Sequence, residues 1–272
     1  MKKGVWITVL SISAVLFVTH VVFAAEKNLT AIDILEKVEM VNMTMDQTSL
    51  VRMILIDPLG NKKKIDTVRL HKHYGGKKGL HSKSVFFTEF PPDQKGIGFL
   101  IWDYAIEGQP DDLWLYLPSL RNVRRMTTRD QHESFLGSDL TFDDMGARRI
   151  DEDDHILVSS GDEHCLGLKE PCYVIESIPK EKDSPYGMKR FYISKKDWVP
   201  RKIEFFDRAR QPFKLQHIQW MQVDDVLVWE SSMVRNLKTN HRTVFEISEV
   251  QNNTGLSEND FSERVLIRGR HR

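Results

Sequence analysis

His71 and His73 stand one residue apart, a spacing that in an extended strand sends both imidazoles to the same face, where they could share a metal ion. No third ligand stands at a persuasive distance along the chain, so no metal site is expected. Asp143 and Asp144 form an adjacent carboxylate pair, the equipment of general acid–base chemistry, but nothing in the sequence sets their separation or supplies a base. The run Asp151-Glu152-Asp153-Asp154 would suit calcium, or more simply a solvated turn. Gly96-Ile97-Gly98 lacks the third glycine and the following helix of a dinucleotide signature. A Gly-x-Ser-x-Gly elbow, a phosphate loop and a His-Glu-x-x-His pair are all missing from the sequence. We therefore expect no catalytic residues, no cofactor and no enzymatic activity.

Two further groups invite a role outside catalysis. Arg121, Arg124 and Arg125 follow a Pro118-Ser119 turn, with Arg129 just beyond. They would meet a partner's acidic surface or a lipid headgroup, or else pair with the chain's own Asp139, Asp143 and Asp144. Cys165 and Cys172 are separated by Leu166-Gly167-Leu168-Lys169-Glu170-Pro171, with strand-like Ile156-Leu157-Val158 before and Tyr173-Val174-Ile175 after. A hairpin would set the two sulfurs opposite one another, and an oxidising compartment would join them as a structural disulfide; otherwise they are two free thiols.

The elements that must position these residues are mostly strands. Thr30 with Asp33 forms a capping-box pattern, and Ala31, Ile34, Leu35 and Val38 follow at helical spacing, which predicts one amphipathic helix over about 30–45. After it the apolar period becomes two. Strands are expected at 50–57, 65–73, 85–90, 97–104, 113–117, 154–160, 172–179, 189–194, 201–206, 213–222, 226–235 and 241–249, separated by segments rich in Pro, Gly, Asn and Asp. Residues 134–146 read as a loop with one helical turn, and Ser257 with Asp260 caps a short terminal helix carrying Phe261, Val265 and Leu266. With no alternation of strand and helix, the sheet is antiparallel, and no fixed-period repeat marks a propeller or solenoid.

The 272 residues carry 39 basic and 39 acidic side chains, a net charge of zero that argues against a nucleic-acid-coating protein. A hydrophobic content of 40% supports a packed core and excludes global disorder. Lys2 and Lys3 precede a mostly apolar run from Val5 to Phe23 that ends in Val22-Phe23-Ala24-Ala25. This reads as a secretory signal cut after Ala24, with an uncleaved anchor as the alternative. The rest, residues 25–272, is expected to be a single domain in the periplasm.

Several strands carry more apolar residues than one buried face requires. In Gly96–Tyr104, Ile97, Phe99 and Ile101 lie on one side and Leu100, Trp102 and Tyr104 on the other; Leu113-Trp114-Leu115-Tyr116-Leu117 repeats the pattern. A single sheet facing water would alternate apolar and polar, so both faces need a cover: a lid, a second layer or an apolar ligand.

The central third is also distinctive as wording. Phe90-Pro91-Pro92-Asp93-Gln94-Lys95-Gly96, Asp111-Asp112-Leu113-Trp114-Leu115-Tyr116-Leu117-Pro118, Leu120-Arg121-Asn122-Val123-Arg124-Arg125 and Ser134-Phe135-Leu136-Gly137-Ser138-Asp139-Leu140-Thr141-Phe142-Asp143-Asp144 follow in order. Together they resemble the periplasmic outer membrane lipoprotein-sorting proteins, the LolA-like family, and Lys189-Arg190-Phe191-Tyr192-Ile193 and Lys214 extend the likeness over most of the chain. Phe142 stands where the family leads one to expect tyrosine.

The resemblance implies a mainly β protein: an unclosed antiparallel β-barrel of about 11–12 strands, with an N-terminal helix and short helical segments against its concave face. It implies a binding protein that shelters lipoprotein acyl chains or related lipids between inner and outer membrane. The partners implied are the lipoprotein or lipid cargo, an inner-membrane exporter of the ABC or RND type and an outer-membrane acceptor, with transient proximity to the membrane and no nucleic acid. The alternative is a non-carrier adaptor of an inner-membrane RND-type transporter. Same-parity sets on the strands supply the expected acyl cavity: Met53, Leu55, Phe99, Ile101, Leu113, Leu115, Ile203 and Phe205. Helix 30–45, with Met40, Met43 and Met45 near its end, is the expected lid.

Overall fold

The computed structural model describes residues 29–41, 43–159 and 171–269. The signal sequence read at 1–24 and Cys165 lie outside the described residues; Cys172 is buried at the start of its strand.

Local signals act first. The Asp33 backbone N–H donates to Thr30 Oγ1 at 3.2 Å while the Thr30 N–H donates to the Asp33 carboxylate at 2.8 Å, and this capping box opens helix α1 (Ala31–Met40). The helix is shorter than its apolar spacing suggests. Beyond it Asp46 accepts backbone N–H groups from Thr254, Gly255 and Leu256, a tertiary clamp that commits the chain to strand.

Among the described residues thirteen strands form one antiparallel sheet. The first six are β1 (Asp46–Ile56), β2 (Lys62–His73), β3 (Leu80–Phe90), β4 (Gly98–Tyr104), β5 (Asp112–Leu117) and β6 (Asn122–Arg125). The remainder are β7 (Asp153–Ser159), β8 (Cys172–Pro179), β9 (Met188–Ser194), β10 (Pro200–Phe206), β11 (Pro212–Val223), β12 (Val226–Asn236) and β13 (Arg242–Asn252). The strand that the sequence pattern does not announce is β6. Its four residues, Asn122-Val123-Arg124-Arg125, form an edge held to β5, and an edge facing water has no need of apolar alternation.

The order β6-β5-β4-β3-β2-β1-β13-β12-β11-β10-β9-β8-β7 is two meanders joined at the middle, where β1 pairs with β13 from Ile56↔Arg242 to Gln47↔Asn252. The edges are therefore β6 and β7, consecutive in sequence but at opposite ends of an unclosed sheet. The chain between them must cross the sheet, and it does so over the concave face through α2 (Thr128–Gln131) and two short 3-10 turns, Phe135–Gly137 and Asp143–Met145.

That crossing covers half of the concave side. Met126, Phe135, Leu140 and Phe142 pack into one cluster with Met53, Phe86, Phe99, Leu113 and Phe205. The Phe99 and Phe142 rings stack at 4.5 Å, and Phe135 meets Phe86, Phe99 and Phe142 edge-on at 5.6, 5.3 and 5.5 Å. On the convex side Phe261, Val265 and Leu266, from a 3-10 turn and α3 (Glu263–Arg268), cover Val85, Phe87, Leu100, Trp114 and Tyr116. The doubled apolar faces of β4 and β5 thus have two protein covers. Gly98 permits the outer one, since an added Cβ would lie 3.0 Å from Leu266 Cδ2.

Candidate ligand cavity

The eight residues expected to line an acyl cavity share one environment. Met53, Leu55, Phe99, Ile101, Leu113, Leu115, Ile203 and Phe205 all belong to the concave cluster and are all buried. What covers them is the crossing segment. The open space lies beside this cluster, in a cavity of about 380 Å³ that none of the eight borders.

Strand order distributes the cavity wall. Arg69, His71 and His73 come from β2, His81 and Phe86 from β3, and Gln47, Ser49 and Val51 from β1. Phe245 and Ile247 come from β13, Val228 and Trp229 from β12, and Trp220 from β11. Val38 and Glu39 of α1, with Met43 and Thr44 after it, complete one side, and residues 144–148 another. Met43 is 47% exposed and marks the opening, while Met40 and Met45 point more fully to water. Helix α1 itself rests on Ile175 and Ile193 through Ala31 and Ile34, so its other end is firmly packed.

The polar side has its own logic. Arg69 Nη1 donates to Gln47 Oε1 at 3.3 Å, and burial lowers its guanidinium to about 10, an effect partly offset by Asp103. Asp103 lies behind it, accepting from Ser82 Oγ and, at 2.9 Å, from the Ala147 N–H; burial raises its carboxyl to about 6 against these donors and Arg69. His71 shares a 2.9 Å hydrogen bond with Ser84, and the His73 and His81 rings meet edge-on at 5.0 Å. Burial lowers all three imidazoles, His71 furthest because Arg69, His73 and His81 add to it. Neutral His at this place is core-like and polar at once. Among the described residues no group of His, Cys, Asp and Glu is arranged to hold a metal ion.

The carboxylate pair does structural work. Asp144 accepts from Tyr186 Oη, from Lys189 Nζ at 3.0 Å and from the Thr141 N–H at 3.0 Å. Burial alone would raise its carboxyl; Lys189 and Lys214, with these donors, reverse that and hold it well below the usual carboxylate range. Asp143 instead sits 3.9 Å from Arg148 and is raised, first by burial and then by Asp144. Asp139 accepts from Thr243 Oγ1 at 2.8 Å and meets His241 at 2.9 Å. Two acids therefore tie the crossing segment to β13, at one end, and to β9, at the other.

These partners leave none of the three acids for the arginines. Arg124 lies 3.5 Å from Asp130 and Arg125 pairs with Asp112, each an exposed arginine against a half-buried acid, and Arg121 is exposed. The acidic run is likewise a paired turn: Arg149 meets Asp151 and Glu152 at 3.0 Å each, and Arg148 meets Asp153 at 2.6 Å. Trp220, Trp229 and Arg69 have no sequence signal marking them; they come to line one cavity only through the β2-β1-β13-β12-β11 order.

An unclosed antiparallel sheet with a crossing segment on its concave face is a fold that solved structures share. A domain described as an outer membrane lipoprotein-sorting protein, from Vibrio parahaemolyticus, matches with TM-score 0.79 at 24% identity over 87% of this chain and 98% of its own. A DUF1329 family protein from Desulfovibrio piger gives TM-score 0.79 at 24% identity over 86% of this chain and 96% of its own. A LolA superfamily protein from Nitrosomonas europaea gives 0.68 at 17% identity over 87% and 99%. No curated protein matches the chain. Residues 81–268 match a family model whose description reads uncharacterized protein, and the chain belongs to that family.

Proposed function

We propose that this protein is a periplasmic carrier that shelters acyl chains of a lipoprotein or a related lipid between inner and outer membrane, and that it binds without catalysing a reaction. The observation that supports this is the cavity beside the filled half of the concave face, with Trp220, Trp229, Val228, Phe245 and Ile247 along one wall. Each methylene removed from water there is worth about 0.8 kcal/mol, enough for a modest cavity to retain a chain. The signal-like residues 1–24 supply the periplasmic part of the reading. The exposed Met40, Met43 and Met45 suit a pliable entrance.

A second reading has its own observation. Half of the concave face is filled by Phe135, Leu140 and Phe142, as a non-carrier adaptor of an inner-membrane transporter would require. Native mass spectrometry of the protein purified from the periplasm, followed by solvent extraction, separates the two. A stoichiometric lipid or acylated peptide is expected. A clean apo mass with no uptake of offered lipid or lipopeptide would overturn the carrier reading in favour of the adaptor.

A further inference from the structure

The cavity is chemically two-ended. At β2, Arg69 is a half-buried guanidinium on the cavity wall with no carboxylate within ion-pair distance among the described residues; Asp103 acts on it only at longer range. Of its five N–H donors, one is directed to Gln47, and the Phe86 ring lies 6.0 Å away. Cross-strand pairing sets Ser49 opposite it on β1 and Phe86 opposite it on β3, so no bulky side chain intervenes on β1. His71 and His73 follow on the same face, adding neutral ring nitrogens able to donate.

The carboxylates that share the cavity do not compete for this place. Asp144 is taken by Lys189, Tyr186 and Thr141, and Arg148, the other cavity arginine, is taken by Asp153. Glu39 belongs to α1, on another side of the cavity, and its carboxyl is raised by burial and then by Glu36. Moving away from β2, the wall turns apolar at β13 and ends in the edge-to-face Trp220 and Trp229, ring centres 6.3 Å apart. From β2 to β11 are four strand spacings, roughly 19 Å along the sheet.

We propose that the cavity takes an amphiphile with one anionic headgroup, carboxylate or phosphate, seated against Arg69, its alkyl chain running across β1, β13 and β12 to Trp220 and Trp229. This rests on the carrier reading and narrows its cargo. A guanidinium matches either anion in planar, paired hydrogen bonds, and the site's low polarity strengthens them.

Binding of dodecanoate, dodecyl phosphate and dodecanol to the mature chain, followed by calorimetry and tryptophan fluorescence, tests it. Both anions are expected to bind about tenfold or more tighter than dodecanol. In Arg69→Met that preference should fall to about twofold while dodecanol binding persists, and Trp229→Ala should weaken all three alike. Equal binding of anion and alcohol by the unaltered chain overturns the headgroup and leaves the carrier standing; this comparison needs no variant to fold. A preference that survives in Arg69→Met also overturns it. Binding of none of the three overturns the carrier reading and this inference with it. Tighter binding of one anion than the other identifies which headgroup class Arg69 serves.

Discussion

The concave face has two halves with one architecture and opposite fillings. Around β4, β5 and β10 the inward side chains are Phe99, Ile101, Leu113, Leu115, Ile203 and Phe205, and the crossing segment seals them with Phe135, Leu140 and Phe142. Along β2, β1, β13, β12 and β11 the inward set near α1 includes Arg69, His71, Gln47, Ser49 and Trp220, and no segment of the described chain fills the space between them. The difference teaches why one half closes and the other stays open. An apolar strand face recruits the chain's own aromatic residues, whereas a face interrupted by desolvated polar groups cannot be filled by them without leaving donors unpaired.

The largest effect should come from the filled half. Phe135 is fully buried between three aromatic rings, so Phe135→Ala is expected to cost about 4 kcal/mol of stability, measured by denaturant unfolding. A cost below about 1 kcal/mol would show that the crossing segment is a loose cover and merge the two halves. Asp144→Asn comes next, at about 3 kcal/mol, because Lys189 and Lys214 lose the carboxylate between them. The same unfolding assay checks it, and a stable variant would mean the segment is not anchored there.

The open half should respond to acid. His71 has its pKa depressed in the fold, first by burial, then by Arg69, His73 and His81, from an ordinary value of 6.5. Below about 6.5 the unfolded chain takes up a proton the folded chain refuses, so this group removes stability as pH falls. Asp103, raised to about 6, acts in the opposite sense, since below that pH its folded form retains a proton. His71→Gln should therefore reduce the loss of melting temperature between pH 7 and pH 5, leaving the Asp103 contribution in place. An unchanged acid limb would place the titration elsewhere. The smallest effect is expected at the edge strand. Charge reversal at Arg124 and Arg125 should change stability by under about 1 kcal/mol, as both arginines are exposed, and a larger loss by thermal unfolding would mean they support the crossing segment after all.

Much of this fold is legible in the sequence. The capping box at Thr30, the period-two strands and the terminal apolar residues Phe261, Val265 and Leu266 rest on local patterns, and local patterns dictate local structure. The shared parity of Met53, Phe99, Leu113 and Phe205 was legible for the same reason, because alternate residues of a strand face one way. Strand β6 was not, since four edge residues with two arginines carry no apolar period. The candidate site was the least legible. His71 and His73 have a ligand-like spacing, but nothing in the sequence singles out Arg69 on the same strand or links it to Trp220 or Trp229.

What the amino-acid sequence determined by itself is therefore the inventory: twelve short strands' worth of alternating residues, a helix at one end and two covers' worth of apolar side chains. Tertiary structure decided which cover meets which face. Pairing of β1 with β13 placed β6 and β7 at opposite edges, and this forced residues 126–152 across the concave side. The physical reason is that side-chain parity is a property of neighbours along a chain, whereas a cavity is bounded by neighbours in space. Arg69 and Trp229 are 160 residues apart, and only the sheet brings them to one wall.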